Sequence, residues 1–408
     1  MISVCTPLVF VLKKNTSGPG PNAFTIGEHG VKYIQRGHGE IPVRHSDIII
    51  QSATFARIEF CIASRGTPRT IMSRLEELDN LLYTVTNALT DDVKALSGDI
   101  LILGAGGKMG PSLAKLAKLA VDAAGVKKKV VAVSRFSDKA VVRELEDQGI
   151  EVIPADLMED GALQRLPDIE NVIYMAGTKF GTTGNEYRTW AMNAYLPGKV
   201  AERFKHSRIV TFSTGNVYPL SSIHSAPTEE HPLGPVGEYA QSCLGRERVF
   251  EYFSHQYHTR VLLFRLNYAI DLRYGVLLEL AKSVRNKKPI NLSMGHVNVI
   301  WQGDANQIAI RCLTMCSSPP ETLNVTGRDA LSVRGIAHEF GKIFGIEPVF
   351  ENEEQPTALL SNAARMEKLF PFRKVSIEEM IAITAEWLLL GGPVLSKPTH
   401  FQERTGKF

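Results

Sequence analysis

The sequence has few cysteines, no marked excess of either charge and no apolar run long enough to cross a membrane. Its five cysteines are scattered along the chain, which argues against a disulfide framework and favours a reducing compartment such as the cytoplasm. A formal charge of +3, from 46 basic and 43 acidic residues, gives no reason to expect nucleic acid or an anionic membrane as a partner. We expect neither a signal peptide nor a membrane span, which needs roughly 20 apolar residues. Small molecules are therefore the expected ligands.

Metal ligands are also scarce. Cys312 and Cys316 stand four residues apart, but no second pair lies near them in the sequence. Buried cysteines that act as small apolar side chains are common, and zinc sites usually need two such pairs. We therefore predict no metal site.

The first part of the chain differs from the rest in composition and in hydrophobic pattern. Residues 1–71 are polar, basic and punctuated by glycine, whereas an amphipathic helical pattern begins directly after Met72. We expect Met72 to be the natural start, 1–71 to be an extension of doubtful order, and 72–98 to be a helical lead-in. A small β-rich unit within 1–71 is the alternative.

From Gly98 onwards, short apolar runs alternate with helical patterns. This arrangement is typical of a parallel sheet covered by helices on both faces, so the fold class is α/β with a doubly wound sheet of Rossmann type. The predicted strands are Ile100 to Leu103, Val130 to Val133, Glu151 to Ile153, Val172 to Met175, Arg208 to Phe212, and Val261 to Arg265.

A glycine-rich turn follows the first of these strands. Glycines at 104, 107 and 110 flank Lys108 and Met109, and a helix with Pro111 in its first turn comes next. Such glycines allow a tight turn and a close approach to a pyrophosphate, which the amide groups at a helix N-terminus bind. Because both the strand and the helix are present, the pattern predicts a dinucleotide site rather than a structural turn.

The end of the second strand bears on the choice of dinucleotide. Ser134 and Arg135 stand where an NAD-binding domain usually has an acidic residue for the ribose hydroxyls. A hydroxyl and a guanidinium suit a 2′-phosphate, so NADP is favoured over NAD. A solvated arginine without a ligand is the alternative.

Further motifs follow in a fixed order after the glycine turn. The motifs are Ala155-Asp156-Leu157, Met175-Ala176-Gly177, Asn193 on the next helix, Phe212-Ser213-Thr214-Gly215-Asn216-Val217-Tyr218, and Tyr239 after an acidic loop that contains proline. Together with the glycine turn they resemble the extended short-chain dehydrogenase/reductase superfamily, that is, the NAD(P)-dependent epimerase/dehydratase group.

This resemblance implies both a fold and a set of roles. It implies a Rossmann domain over 99–267 and a lobe, mainly for substrate binding, over 268–408, with some elements of the lobe returning to the Rossmann domain. It further implies that Asp156 and Leu157 contact the adenine, that Met175, Ala176, Gly177 and Asn193 lie beside the cofactor, and that Tyr239 and Thr214 are catalytic. A homodimer is also implied, because helices flanking the tyrosine often form a dimer bundle in this family.

One residue departs from the family pattern. The family has a lysine four residues after the tyrosine, where its charge lowers the tyrosine pKa, whereas this chain has Cys243. Arg246, two helical turns beyond Tyr239, could replace that charge, but a solvated arginine is the commoner case and is favoured here. For Cys243 we expect a small buried filler.

Two functions remain open from the sequence. The first is an NAD(P)-dependent oxidoreductase or epimerase that acts on a sugar-like hydroxyl compound by hydride transfer. The second is a dinucleotide-binding sensor or scaffold that has lost turnover. The loops 177–187 and 224–237 are expected over the substrate. Their polar candidates Lys179, Asn185 and Glu230 are, each taken alone, more commonly solvated loop residues.

Overall fold

The computed structural model describes residues 25–27, 30–32, 68–395 and 399–408. The first 56 residues form one unit, in which the two short strands 25–27 and 30–32 pair antiparallel. The rest of the predicted extension, up to residue 67, lies outside the described residues. Residues from 57 onwards form the second unit, to which everything below refers.

The strands are short and numerous. In chain order they are β1 Thr25–Gly27, β2 Gly30–Lys32, β3 Ile100–Leu103, β4 Val130–Ser134, β5 Glu151–Pro154, β6 Asn171–Tyr174, β7 Arg208–Thr214, β8 Ser221–Ser222, β9 Arg260–Leu266, β10 Ala269–Ile270, β11 Ile290–Asn291, β12 His296–Val297, β13 Ile300–Trp301, β14 Glu321–Val325, β15 Leu331–Ser332, β16 Phe350–Glu351 and β17 Thr357–Ala358.

Helices separate most of the longer strands. They are α1 Pro68–Asn80, α2 Asn87–Ala95, α3 Gly110–Ala123, α4 Lys139–Asp147, α5 Glu186–Trp190, α6 Leu196–Arg203, α7 Gly237–Tyr257, α8 Val276–Arg285, α9 Gln302–Arg311, α10 Val333–Phe344, α11 Ala364–Leu369 and α12 Ile377–Leu389. None of these helices, taken over the described ranges, is both long and apolar enough to cross a membrane.

Seven strands form one parallel sheet in the order β14-β9-β7-β6-β3-β4-β5. The six predicted strands are all present, and the predicted α/β doubly wound class is confirmed. The seventh strand, β14, comes from the part of the chain predicted to be mainly the substrate lobe and pairs with β9. Its pairing partner lies far away in sequence, so no local pattern could place it in this sheet.

Helices cover both faces of the sheet, as expected for buried parallel strands. On one face α2, α3 and α9 pack through residues such as Leu89, Leu113 and Ile308. On the other face α6 and α7 pack through Val200 and Phe250. Because both faces are covered, ligands can reach this sheet only at its ends.

A second core belongs to the lobe. It brings together α1, α8, α10 and α12 around Leu78, Leu277, Phe340 and Trp387. Helix α1 begins at Pro68, four residues before the predicted start, and proline suits the first turn of a helix. The lead-in helix α1 is therefore part of the lobe core.

Candidate active site

The glycine turn lies at the carboxyl end of β3. Gly104 has φ +92°, a conformation that favours glycine, and its N–H donates to the carbonyl of Val133 at 2.8 Å. A Cβ on Gly104 would lie only 2.6 Å from the backbone nitrogen of Ala176. A Cβ on Gly110, the first residue of α3, would overlap the backbone of Ala105. The turn is therefore packed closely between two strand ends, and the positive end of α3 faces the same edge.

Gly110 provides a direct test of this turn. Gly110→Ala should weaken dinucleotide binding at least about tenfold, since the overlap displaces the turn from the α3 N-terminus. Titration with NAD⁺ and NADP⁺ measures the loss. Gly335→Ala in α10 is the matched control, because its added Cβ would lie 3.5 Å from the nearest atom, an ordinary contact. Equal affinities of the wild type and Gly110→Ala would contradict the assignment.

The proposed adenosine end of the site is polar and open. The Arg135 side chain is 76% exposed, and its Nη1 lies 4.0 Å from Oδ2 of Asp156. Asp156 accepts a hydrogen bond from the Met158 N–H at 3.0 Å, while Leu157 is buried. These residues lie at the carboxyl ends of β4 and β5, beside the glycine turn, as a dinucleotide site needs. The preference for NADP over NAD stays a prediction.

Asn193 ties the loop after β6 to helix α7. Its side chain is fully buried in a single π-helical turn, and it accepts from the Thr178 N–H and donates to the Thr178 carbonyl, both at 2.8 Å. It also donates to Oγ of Ser242 at 3.0 Å. Asn193 thus holds the segment that follows Gly177 in place.

Tyr239 and Thr214 come together at the end of β7. Thr214 is the last residue of that strand, and Tyr239 lies in the first turn of α7. Burial raises the pKa of Tyr239 well above its ordinary value, whereas a hydrogen bond with Thr214 and the charge of Arg246 act in the opposite direction. The predicted proton-transfer pair is therefore in contact, but its tyrosine needs positive charge in order to ionise.

Cys243 cannot supply that charge. Its side chain is 1% exposed and packs with Val217 and Tyr218. Burial raises the pKa of the Cys243 thiol, so the thiol stays neutral at pH 7. Cys243 therefore lies as a buried filler beside Tyr239.

Arg246 is buried, so the favoured prediction that it is solvated is wrong. Its guanidinium donates to the Phe212 carbonyl at 2.6 Å and to Oδ1 and the carbonyl of Asn193 at 3.0 and 3.3 Å. Only 6% of the residue is exposed, because these acceptors lie at the carboxyl end of β7 and in the helix packed against it. Arg246 is thus a fixed positive charge close to Tyr239.

Lys179 brings a second cation to Tyr239. Its Nζ lies 5.6 Å from the centroid of the Tyr239 ring and 4.6 Å from that of Phe408. Phe180 and Tyr268 are at 5.6 and 6.0 Å. The expectation that Lys179 is a solvated loop residue is therefore wrong, because these rings surround its ammonium group.

Residues 399–408 cover this end of the site. Phe401 is fully buried, and Arg404 donates to the carbonyls of Ser293 and Thr357 at 2.9 and 2.7 Å. The Phe408 ring stands edge-on to Tyr239 with 5.3 Å between their centroids. From its polar residues the stretch 397–401 is expected to fold back over the lobe without joining the core; the burial of Phe401 contradicts the second part, and residues 397 and 398 lie outside the described residues. Its aromatic residues were the signal that this prediction missed.

The loop 177–187 lies under this covering segment. The N–H and hydroxyl of Thr182 donate to the Phe408 carbonyl at 3.1 and 2.8 Å. The Asn185 side chain donates to the nearby Gly181 carbonyl at 3.3 Å, and Glu230 is exposed on the other predicted loop. Of the three polar candidates on the loops, only Lys179 contacts Tyr239.

A buried network of charged and hydrogen-bonded side chains holds helix α7 against the sheet. Arg265 donates to both carboxylate oxygens of Glu247, at 3.0 and 2.7 Å, and to the Tyr218 hydroxyl at 2.7 Å. Ser213 also donates to Glu247. These bonds join α7 to β7 and β9, so they fix the helix that carries Tyr239.

The fold and this edge of the sheet define an α/β protein of Rossmann type. The family model described as NAD dependent epimerase/dehydratase family matches residues 100–270. The resemblance inferred from the sequence is confirmed over that stretch. No curated protein sequence matches the chain.

Solved structures of epimerases share the fold. UDP-glucuronic acid 4-epimerase from Bacillus cereus, in complex with UDP-glucuronic acid and NAD, has a TM-score of 0.60 and 19% identity, covering 72% of this chain and 99% of that one. An epimerase from Methanothermobacter thermautotrophicus has a TM-score of 0.61 and 19% identity over 76% of this chain and 99% of its own. The UDP-Glc/GlcNAc 4-epimerase of Campylobacter jejuni has 0.59 and 17%, over 72% and 99%.

Proposed function

We propose that this chain is a nicotinamide-dinucleotide-dependent epimerase or related oxidoreductase that acts on a hydroxyl group of a nucleotide-sugar-like substrate. The observation that carries the proposal is the meeting of the glycine turn and the Tyr239–Thr214 pair at one edge of the sheet. The glycine turn suits a pyrophosphate, and the pair suits proton exchange with a hydroxyl group. The family match over residues 100–270 supports the same class of reaction.

The residues present fit a dinucleotide. Side chains on Gly104 and Gly110 would collide with neighbouring backbone, so both positions leave bare backbone at the α3 N-terminus. We assign Gly104, Gly107, Lys108, Met109 and Gly110 to the pyrophosphate end. When bound, the nicotinamide supplies a hydride acceptor and donor.

The remaining assignments follow the strand ends. Ser134, Arg135, Asp156 and Leu157 are assigned to the adenosine end. Met175, Ala176 and Gly177 are assigned to the wall beside the nicotinamide, and Asn193 holds that wall in place.

The chain's own residues handle the proton. In this proposal the Tyr239 oxygen takes the proton of the substrate hydroxyl and returns it, while the Thr214 hydroxyl orients the same substrate oxygen. Burial of Tyr239 disfavours its ionised form, so nearby positive charge is essential to this role. Arg246, two turns further along α7, supplies part of it.

The proposed substrate class rests on the solved structures that share the fold. The Bacillus cereus structure contains UDP-glucuronic acid and NAD, and the Campylobacter jejuni enzyme is described as acting on UDP-Glc and UDP-GlcNAc. By analogy we propose a sugar nucleotide as the substrate, bound between the sheet edge and the lobe. The homodimer is also proposed by analogy, and sedimentation equilibrium of the purified protein would test it.

Turnover of sugar nucleotides tests the function. Purified protein is incubated with NAD⁺ or NADP⁺ and a panel of UDP-, GDP- and dTDP-sugars, and products are followed by chromatography and by absorbance of the reduced dinucleotide. We expect one panel member to be epimerised or oxidised. Dinucleotide binding without turnover of any member would favour the alternative function, a sensor or scaffold, to which Cys243 and the raised pKa of Tyr239 also point.

A further inference from the structure

The ammonium group of Lys179 is enclosed by aromatic rings at the reacting end of the site. The rings of Tyr239, Phe408, Phe180 and Tyr268 all lie within 6.0 Å of it, measured from Nζ to the ring centroids. These rings come from α7, from the segment 399–408, from the loop after β6 and from the connection after β9. Four separate parts of the fold thus converge on one lysine.

Lys179 has no anionic partner among the described residues. No ion pair or hydrogen bond engages its Nζ there, although ion pairs hold most of the other lysines and arginines that are largely buried. Removing an ammonium from water without an opposite charge is costly, and cation–π contacts offset only part of that cost. A partner that becomes anionic during function would offset the rest.

We propose that Lys179 supplies the positive charge that is missing because Cys243 stands where the family pattern has a lysine. This charge favours the phenolate form of Tyr239 during proton transfer. Lys179 reaches Tyr239 from the loop after β6, and the family's lysine would reach it from α7 itself. An ammonium group thus lies beside the tyrosine in both cases, but here it comes from a different part of the fold. This inference rests on the proposed function.

Other charged and titratable groups surround Lys179. On α7 they are Tyr239, Cys243 and the buried Arg246, and on α8 there is Glu279, whose carboxylate accepts hydrogen bonds from Thr399. Lys108 shares the Phe180 ring, 4.7 Å from its centroid, and His400 packs against the same ring at 5.3 Å. Glu279 is engaged by Thr399, and Cys243 stays a thiol. Of the two phenols within 6.0 Å of the ammonium, Tyr239 lies nearer than Tyr268 and is the one whose hydroxyl contacts Thr214, so it is the group that the ammonium would pair with.

The pH dependence follows from the same geometry. Burial lowers the pKa of Lys179 to about 8, so its charge is present below that pH and is lost as the pH rises through it. Turnover that needs the ammonium should therefore fall on the alkaline side of about pH 8 in the wild type. An arginine at 179 keeps its charge, so Lys179→Arg should move this fall to higher pH.

A ligand-free titration tests the inference without relying on activity. The protein is labelled with 3-fluorotyrosine, whose phenol ionises at lower pH than that of tyrosine, and the Tyr239 signal is assigned by its loss in Tyr239→Phe. Lys179 loses its charge before Tyr239 ionises, so the test compares a permanent cation at 179 with a neutral side chain: we expect the midpoint of the Tyr239 signal to be at least about one pH unit lower in Lys179→Arg than in Lys179→Met. Lys199→Met is the matched control, because Lys199 lies 5.7 Å from the Tyr195 ring centroid, and it should leave the midpoint unchanged. Equal midpoints in Lys179→Arg and Lys179→Met would overturn the inference.

A kinetic cycle gives the second readout. If Lys179 acts through Tyr239, Lys179→Met alone should lower kcat/KM about 10²-fold, and it should add no further loss in the Tyr239→Phe background. Losses that multiply in the double variant would mean that the lysine acts elsewhere. Failure of all sugar nucleotides to react would count against the proposed function only, since the fluorotyrosine titration still decides the role of Lys179.

Discussion

Replacing Tyr239 by phenylalanine should lower turnover by about 10²- to 10⁴-fold, the range that a positioned general acid or base contributes. The variant loses only the phenolic oxygen. The ring, with its edge-on contact to Phe408 at 5.3 Å, remains, so the covering segment and the dinucleotide site should keep their structure. Steady-state kinetics with the reacting sugar nucleotide measures the loss, and NAD⁺ and NADP⁺ titrations should show unchanged affinity.

Tyr252→Phe is the matched control for this variant. Tyr252 lies on the same helix, α7, but 58% of it is exposed, so removal of its hydroxyl should leave turnover at the wild-type level. Undiminished turnover in Tyr239→Phe would show that Tyr239 takes no part in proton transfer. The assignment of Thr214 as its partner would then also be wrong.

Replacing Glu247 by alanine should lower the free energy of unfolding by about 3–5 kcal/mol. The Glu247 side chain is fully buried and that of Arg265 is 4% exposed, so the variant leaves a guanidinium in the core without its carboxylate. Ser213 loses its acceptor as well, and Arg265 keeps only its bonds to the Tyr218 hydroxyl and the Glu229 carbonyl. Urea unfolding followed by circular dichroism measures the change.

The control for Glu247→Ala is an ion pair at the surface. Arg203 and Asp168 are 2.6 Å apart, but the Asp168 side chain is 94% exposed, so Asp168→Ala should cost less than about 1 kcal/mol. Comparable losses in both variants would show that burial does not determine the strength of these pairs. A small loss in Glu247→Ala would mean that water reaches Arg265 and solvates it.

Local sequence patterns were sufficient for the scaffold of the site. β3 occupies exactly the predicted residues, and the other five predicted strands differ by one or two residues at an end. Buried parallel strands need continuous apolar runs, and a phosphate-binding turn needs glycine where backbone meets backbone. These requirements act over a few residues, so they can be read in the order of the amino acids. Thr214 at the end of β7 and Tyr239 at the start of α7 were instead singled out by the resemblance to the family.

Contacts between distant parts of the chain decided the rest. The burial of Arg246 depends on carbonyls contributed by Phe212 and Asn193, and the place of β14 depends on β9. The surroundings of Lys179 require Phe408, more than 200 residues further along the chain, to fold back onto Tyr239.

The sequence by itself determined a Rossmann scaffold, a dinucleotide turn and a tyrosine without its usual lysine. Only the tertiary structure decided which cations lie beside that tyrosine. The electrostatic environment of a side chain is set by the groups that surround it in space, and here these groups come from the loop after β6, from α7 and from residues 399–408.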